Sequence, residues 1–453
     1  QMCYSSTDLI HWHNEGVILH HQVDANRIEV LYNEPTKKYV MILKYDTNGG
    51  FMGVATADKP EGPFSFKQAP VSHDEMRAMN DDRLKAAGPF YLIDKAVIGD
   101  MSVYKDDDGK AYLAYVSWAK GTNREHGLYL LSDDFTAPEK RLQLWDLGGR
   151  EANHIFKRNG IYYYGTSRTA GIQSSGTSYY TTKDLASGNW SPAKPMPTPG
   201  STNSWDSQVD FVYLVKGTQT TTYMFVGDRW TKDLPKGRNG DYIWLPLEFN
   251  GDDPVANYYQ DWDLNVAAGT WRKFDPKRNL AAGKPVAASS ETDAAPAKNV
   301  TAPKTWDTYI GMHWDSAPGD AQWVTVDLGT PTEINRVILK WNTNAAKSFK
   351  IQTSLDNTAW TDAFSTDLGS SYSVTDESFK TTSARYVRMS ATARAAAPFG
   401  GRGGGRGGRG AGGGGAGRGA AGSQPAATGA VQPIVPLPAP GGYSLFDFEV
   451  LKD

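Results

Sequence analysis

Cysteine is almost absent from this chain, since Cys3 is the only one among 453 residues. A single cysteine cannot form an intrachain disulfide, so the fold has no disulfide framework. Long apolar runs are also missing, and none approaches the roughly 20 residues that a membrane-spanning helix needs. The formal net charge is only −3, so no strong overall field favours nucleic acid or a membrane as a partner.

The first residues lack the features of a signal peptide. The segment QMCYSSTDLIHWHNEGVIL begins with neither Met nor a basic region and continues directly into a patterned strand. We expect that the natural N-terminus precedes this sequence, so the missing signal says little about location.

Aromatic residues and glycine are abundant instead. The chain has 14 Trp, 23 Tyr and 47 Gly, a composition typical of an all-β protein with polar aromatic surfaces, such as one that handles sugars.

Residues 1–275 repeat one theme, a strand, a turn with Asn-Gly, Asp-Gly or a near equivalent, and then an aromatic strand. Examples are EVLYNEPTKKYVMILKY, SVYKDDDGKAYLAYVSW, HIFKRNGIYYYGTS and FVYLVKGTQTTTYMFVGDRW. A second unit with small residues, Asp and an aromatic follows most of these hairpins. About four strands recur every ~50 residues, which predicts a five-bladed β-propeller with a truncated first blade.

Residues 279–453 change in pattern. The segments QWVTVDLGTPTEINRVILKWN, SFKIQTSLDNTAWT and ARYVRMSATA alternate like strands of a β-sandwich. A Gly-, Arg- and Pro-rich run at about 398–442 interrupts them, and we predict that it is a disordered insertion. It contains only four arginines, so we favour a passive loop over RNA binding. YSLFDFEVLKD then resumes as a closing strand.

Polar residues recur near the start of the first strand in each repeat. Their spacings of 71, 51 and 57 residues are close to the blade period, so their side chains are predicted to meet near one axis; they are Glu29, Asp100, Glu151 and Gln208. The alternative is that strand ends are polar because they lie near the surface. By contrast, Asp106, Asp107 and Asp108 precede Gly109 and are read as turn formers.

DMSVYKDDDGKAYLAY together with EANHIFKRNGIYYYGTS resembles glycoside hydrolase family 43, a family of inverting five-bladed propellers. CYSSTDLIHW, EVLYNEPTKKYVMILK, GVATADKPEGPF and GDRW resemble more narrowly its exo-β-1,3-galactanase branch. The resemblance implies that Glu151 is the general acid and that Asp100 orients it. It also implies that Gln208 acts as base or positions water, with Glu29 as its partner.

Gln208 is an unusual base, because a neutral amide accepts a proton poorly near pH 7. Glu29 is therefore the alternative base. Aromatic residues stack on sugar rings, so we predict substrate contacts for Trp118 and Trp205, with Thr169 facing the pocket. A Trp in a propeller more often packs between blades than contacts a substrate. This alternative applies to Trp230 as well.

His154 follows Glu151 by three residues, an odd offset that places it on the opposite strand face. We read it as a core histidine, because no second His stands at metal-ligand spacing.

NLAAGKPVAASS, ARYVRMSAT and YSLFDFEV, with the alternating strands above, resemble the discoidin-like sandwich of carbohydrate-binding module family 32. The family's DG before a T-x-W element is missing from NVTAPKTWDTYIGMHW, which puts its structural Ca²⁺ in doubt.

These observations predict a secreted, periplasmic or cell-surface hydrolase that acts as a monomer on a polysaccharide or oligosaccharide. Exo-β-1,3-galactanase is the first hypothesis. The alternatives are a β-xylosidase or α-L-arabinofuranosidase, and a non-catalytic glycan-binding protein. No cofactor is expected to be required, and neither nucleic acid nor membrane is an expected partner.

Overall fold

The computed structural model describes most of the chain. The described residues are 2–9, 12–19, 25–45, 51–66, 90–91, 98–117, 125–171, 173–230, 241–305, 308, 311–342, 344–369, 374–395 and 441–452. They are almost entirely β-structure and form two compact units, residues 1–274 with 305–310 and residues 275–304 with 311–453. Among them, no helix is long and apolar enough to cross a bilayer.

The first unit consists of antiparallel sheets in which consecutive strands are neighbours, as in propeller blades. The shortest sheet pairs β1 (Met2–Ser5) with β2 (His13–Val17). Sheet I contains β3 (Ala25–Asn33), β4 (Lys38–Tyr45), β5 (Phe51–Ala57) and β6 (Ser65–Phe66), with β7 (Phe90–Tyr91) on β5. Sheet II contains β8 (Ile98–Lys105), β9 (Ala111–Ser117), β10 (Glu125–Leu131) and β11 (Pro138–Asp146).

Two further four-stranded sheets complete the repeats. Sheet III contains β12 (Arg150–Arg158), β13 (Ile161–Arg168), β14 (Thr177–Thr182) and β15 (Lys194–Pro195). Sheet IV contains β16 (Gln208–Lys216), β17 (Thr221–Arg229), β18 (Asp241–Asn250) and β19 (Asp253–Ala256). A small hairpin of β20 (Trp262–Asn265) and β21 (Thr270–Lys273) follows. The described residues thus form a blade arrangement, and the count of five blades stays a prediction.

The first strands of sheets I to IV pack against one another, so they are the innermost strands. Apolar clusters fill the spaces between neighbouring sheets. Phe156 and Phe225 lie between sheets III and IV, and Tyr164 and Leu128 lie between sheets II and III. This packing places the starts of the innermost strands close together.

The predicted turns take the expected conformations. Asn159 and Gly160 both have positive φ, 51° and 75°, which matches the tight turn that Asn-Gly favours. At the next hairpin, the Gly109 N–H donates to the Asp106 carbonyl oxygen at 3.0 Å. The aspartates before Gly109 are therefore turn formers, as predicted.

The second unit is a β-sandwich, as predicted, and its strands form one continuous antiparallel ladder. Its strands are β22 (Val286–Ala288), β23 (Trp314–Asp315), β24 (Gln322–Trp341), β25 (Ala346–Ser354), β26 (Thr361–Thr366), β27 (Val374–Arg394) and β28 (Ser444–Leu451). Short 3₁₀ turns span Pro276–Arg278 and Ala297–Val300. The long strands β24 and β27 bend where their register shifts, between Asp327 and Thr332.

Strand β28 lies between β23 and β24, so YSLFDFEVLKD supplies the closing strand as predicted. Its Phe448 packs in the core with Trp314 and Phe349. The predicted disordered insertion at 398–442 lies outside the described residues, except for its last two positions.

Candidate active site

Each innermost strand carries one register irregularity close to its start. An extra residue in one strand bends it and re-aims the side chains around it, and such bulges are frequent near active sites. The four irregularities lie between Asn26 and Glu29, Ile98 and Met101, Glu151 and His154, and Val209 and Phe211.

These bulges define which positions correspond from sheet to sheet. Counting back three residues from the residue that follows each register shift gives Asn26, Ile98, Glu151 and Gln208. Counted in this way, Glu151 and Gln208 share a position, whereas Asp100 lies two positions further along its strand and Glu29 three. Counted from the start of the bulge, Glu151 corresponds to Val209, because the shift in β16 is one residue shorter. The equivalence of all four residues therefore stays a prediction.

Glu151 and Gln208 are in direct contact across sheets III and IV. The Gln208 Nε2 donates to Glu151 Oε1 and to Ser167 Oγ, both at 2.9 Å. The indole Nε1 of Trp230 donates to Gln208 Oε1, also at 2.9 Å. Because Gln208 is 3% exposed and bonded at both ends, its side chain is fixed with the NH₂ group towards the carboxylate.

Asp100 holds the backbone next to Glu151. Its Oδ2 accepts the Ala152 N–H at 2.7 Å, while Oδ1 accepts Arg27 Nε at 3.2 Å. Ala152 has φ of 54°, a left-handed conformation that costs a non-glycine residue about 1 kcal/mol. The contact with Asp100 stabilises this conformation, so Asp100 holds the peptide that follows Glu151.

Arg27 connects sheets I, II and IV electrostatically. Its guanidinium forms ion pairs with Asp100 and Asp210. Burial acts to lower the pKa of Arg27, but the charges of Asp100, Asp210 and Asp228 outweigh burial and raise it. Arg27 therefore stays positively charged and partly neutralises a group of carboxylates.

Asp210 and Asp228 belong to this group, although they were not predicted from the sequence. Burial raises the pKa of Asp210, against the opposing effect of Arg27. Burial and then the charge of Asp210 raise the pKa of Asp228 to about 6. Asp228 is the cross-strand partner of Gln208, so the two side chains share one face of sheet IV. The available signals were SQVDF and GDRW, which carry these aspartates beside a predicted site residue.

Glu29 lies apart from the Glu151–Gln208 contact. Its Oε1 accepts the Val103 N–H at 3.2 Å, and neither Glu151 nor Gln208 is among its described hydrogen-bond partners. Burial raises the pKa of Glu29 to about 8, against the lowering effects of the Val103 N–H and of Arg27. A carboxyl with this pKa is mostly protonated at pH 7. The role of Glu29 as base or as partner of Gln208 stays a prediction.

The predicted aromatic contacts divide into two cases. Trp118 lies outside the described residues. Trp205 is 3% exposed, and its Nε1 donates to the Ala256 carbonyl at 2.9 Å. Its ring packs against Tyr258 with centroids 5.5 Å apart. The structure therefore gives Trp205 a packing role in the core instead of the predicted contact with substrate.

Thr169 lies beside the acid candidate. Its N–H donates to the Gly149 carbonyl at 2.7 Å, and the next N–H, of Ala170, donates to Glu151 Oε1 at 3.4 Å. This segment therefore lies over the carboxyl group, and a substrate contact of Thr169 stays a prediction.

His154 is a buried core histidine, as predicted, but the argument from its odd offset fails. The cross-strand partners of Glu151 and His154 are Ser167 and Gly165, two residues apart, so the bulge brings both onto one face. Burial lowers the pKa of His154 to about 4. Among the described residues, no group of three or more His, Cys, Asp or Glu is placed to hold a metal ion.

Two family models match the chain. The model for glycosyl hydrolases family 43 matches residues 2–239, and the model for the F5/8 type C domain matches residues 285–402. No curated protein matches the sequence.

The solved structures to which the chain is similar include two exo-β-1,3-galactanases. The enzyme from Phanerochaete chrysosporium, crystallised with β-1,3-galactotriose, has a TM-score of 0.50 and 21% identity over 87% of each chain. The enzyme from Clostridium thermocellum has a TM-score of 0.49 and 21% identity, covering 86% of this chain and 89% of its own. The first similarity establishes a shared fold.

Proposed function

The chain belongs to glycosyl hydrolase family 43, and from this premise we propose that it is an inverting, exo-acting β-1,3-galactanase. It would release galactose from galactan or from arabinogalactan side chains. The observation that carries the proposal is the contact of Gln208 with Glu151, beside a backbone held by Asp100. Glycosidic hydrolysis needs a protonated carboxyl at the leaving oxygen and a second group that activates water.

Glu151 is the group best placed to be the acid. The N–H donors of Gln208 and Ala170 both point at Oε1. A hydroxyl proton at Oε1 would clash with these donors, so the proton of the neutral acid belongs on Oε2. The two donors and the Asp100 contact thus fix which oxygen delivers the proton to the leaving group.

We assign water activation to Asp228. In inverting enzymes the two reacting groups lie roughly 6.5–9.5 Å apart, which leaves room for sugar and water. Gln208 Nε2 is only 2.9 Å from Glu151 Oε1, and a neutral amide is a weak base. Asp228 lies one strand further from the acid, and its pKa of about 6 suits a general base near neutral pH. Gln208 then orients the acid.

The choice of galactan has its own support. CYSSTDLIHW and GDRW resemble the galactanase branch of the family, and the fold is shared with the Phanerochaete chrysosporium enzyme. We further propose that the F5/8 type C unit binds the same polysaccharide, and that the protein acts outside the cytoplasm as a monomer without a required cofactor. Calcium binding by the C-terminal unit stays a proposal.

The test uses the purified chain with β-1,3-galactan and chromatography of the released sugars. We expect galactose as the product from the wild type and a loss of at least about 10²-fold in Glu151→Gln, which cannot donate a proton. Glu139→Gln makes the same exchange at an exposed position of β11 and should keep full activity. Full activity in Glu151→Gln would refute the acid assignment.

The same assay separates the alternatives. Hydrolysis of aryl β-xylosides or α-L-arabinofuranosides, with galactan left intact, would identify the other family activities. Galactan that binds without being hydrolysed, at any pH between 4 and 8, would identify a glycan-binding protein instead.

A further inference from the structure

A cavity lies between sheets II and III, and neither Glu151 nor Gln208 lines it. Its volume is about 210 Å³, and it is lined by Gln143, Trp145, Leu147, Tyr164, Tyr180, Gly188, Trp190 and Ser191. Drug-sized ligands occupy pockets of roughly 300–1,000 Å³. A cavity of this smaller size accommodates one ring, not a chain of rings.

The walls of the cavity are aromatic rings that meet at steep angles. Trp145 and Trp190 have centroids 5.5 Å apart and an interplanar angle of 78°. Tyr164 lies 5.3 Å from Trp145 and 5.8 Å from Trp190, at angles of 49° and 72°. Tyr164 is 1% exposed, so the accessible surface of these three rings belongs to the half-buried Trp145 and Trp190. Aromatic faces of this kind bind the C–H faces of sugar rings.

The Tyr164 hydroxyl is not part of the ligand surface. It bonds to His126 Nδ1 at 2.8 Å, on the far side of its ring. The ring of Tyr164 is therefore held in place by a buried hydrogen bond, and it supports the wall of the cavity from within the core.

The polar side chains that line the cavity are neutral, and none of the lining side chains is charged. Ser191 Oγ accepts the Thr181 N–H and donates to the Pro192 carbonyl oxygen, both at 2.9 Å, so this hydroxyl is already engaged. The Gln143 amide has no hydrogen-bond partner among the described residues, and its Oε1 lies against Gly188, where a Cβ would come within 2.6 Å. The cavity thus offers the Gln143 amide beside apolar surface, but no charge.

We propose that this cavity binds one neutral hexopyranose unit, as a sugar site separate from the active site. Neutral rings with one apolar face and several hydroxyl groups match its lining, whereas anionic or cationic ligands would find no counter-charge. In the full protein, the site would hold a neighbouring part of the polysaccharide while Glu151 acts on another end. The proposal goes beyond the proposed hydrolysis and does not depend on which bond is cleaved.

The test is ¹⁹F NMR of the full chain labelled with 5-fluorotryptophan, with Glu151→Gln present so that no substrate is consumed. The Trp145 and Trp190 signals are assigned by Trp→Phe exchange at each position. We expect galactose and β-1,3-galactotriose to shift both signals. Gln143→Phe fills the cavity and should abolish the shifts, while Leu144→Phe, on the opposite face of β11, should keep them.

A Gln143→Ala variant keeps the cavity open but removes the amide. It should weaken galactose binding at this site about tenfold. The proposal is overturned if neither sugar shifts the two signals, if Gln143→Phe leaves the shifts unchanged in a folded protein, or if phenol shifts them and the sugars do not. Hydrolysis is not measured here, so a failure of the proposed function would be seen separately.

Discussion

The side-chain amide of Gln208 donates a hydrogen bond to Glu151 across two neighbouring sheets, with Nε2 and Oε1 2.9 Å apart. Each residue lies at the start of its innermost strand, within one residue of the register shift. In the proposed mechanism this contact lets Gln208 orient Glu151, and water activation is assigned to Asp228.

Trp230→Phe should disturb the contact between Gln208 and Glu151, because Trp230 bonds to the other end of the Gln208 amide. The exchange removes the donor to Gln208 Oε1, so the buried amide is free to turn away from Glu151. We expect kcat/KM on β-1,3-galactan to fall about 10- to 100-fold, the scale of a small misplacement of a catalytic group. Trp244→Phe, at a half-exposed position of β18, is the matched control. Equal activity of both variants in steady-state assays would show that Trp230 does not fix Gln208.

Asp100→Asn should impair catalysis while leaving the fold intact. The amide cannot supply the negative charge that pairs with Arg27, and it weakens the hold on the Ala152 N–H. Glu151 then loses its fixed direction, and we expect kcat to fall by about 10² or more. Asp108→Asn, in the Asp-Gly turn, should retain wild-type kcat. The orienting role is wrong if the two variants behave alike.

Asp228→Asn should change the pH profile. The base must be deprotonated, so the wild-type kcat/KM should rise with pH through a pKa of about 6. This rise of kcat/KM near pH 6 should disappear in Asp228→Asn, together with most of the activity. A surviving limb near pH 6 in a still active variant would assign the base elsewhere.

The same residue predicts a change in stability with pH. The pKa of Asp228 is raised from 3.8 in its ordinary state to about 6, so the folded protein holds this proton more tightly than the unfolded chain. Its contribution to stability therefore falls as pH rises from about 4 to 6. Thermal unfolding of Asp228→Asn should lack this part of the decrease.

Glu29→Gln tests whether Glu29 is the base. Its pKa of about 8 means that the side chain is neutral at pH 7, and glutamine has the same shape and charge as that form. We expect activity at pH 7 within about threefold of wild type. The wild type should lose stability as pH rises from about 4.5 through 8, because ionising the buried group becomes unfavourable, and Glu29→Gln should not. A loss of activity as large as in Glu151→Gln would restore Glu29 as the base.

Much of the fold follows from local patterns. Turn dipeptides such as Asn159–Gly160 and the ~50-residue period indicate the blades, because their physical requirements act over a few residues. The bulges leave no comparable pattern in the sequence. One extra residue changes which face of the strand the following side chains occupy, but it does not change the amino-acid composition. For this reason the sequence does not show that Glu29 directly follows the register shift of its strand.

Two other differences have a similar cause. Asp228 reaches the site from a second strand, beyond the first-strand pattern that identified Glu151. Trp205 is buried through contacts with residues about 50 positions away in the sequence, such as Ala256. Neither arrangement can be read from a local window of sequence.

The stereochemistry of the released sugar tests the account most directly. Time-resolved ¹H NMR of the purified chain with β-1,3-galactotriose should show α-galactose first, before mutarotation, because a single displacement by water inverts the anomeric centre. The Glu151→Gln protein should release none in the same time. First appearance of β-galactose, or release by the Glu151→Gln protein at the wild-type rate, would contradict the assigned acid and the inverting mechanism.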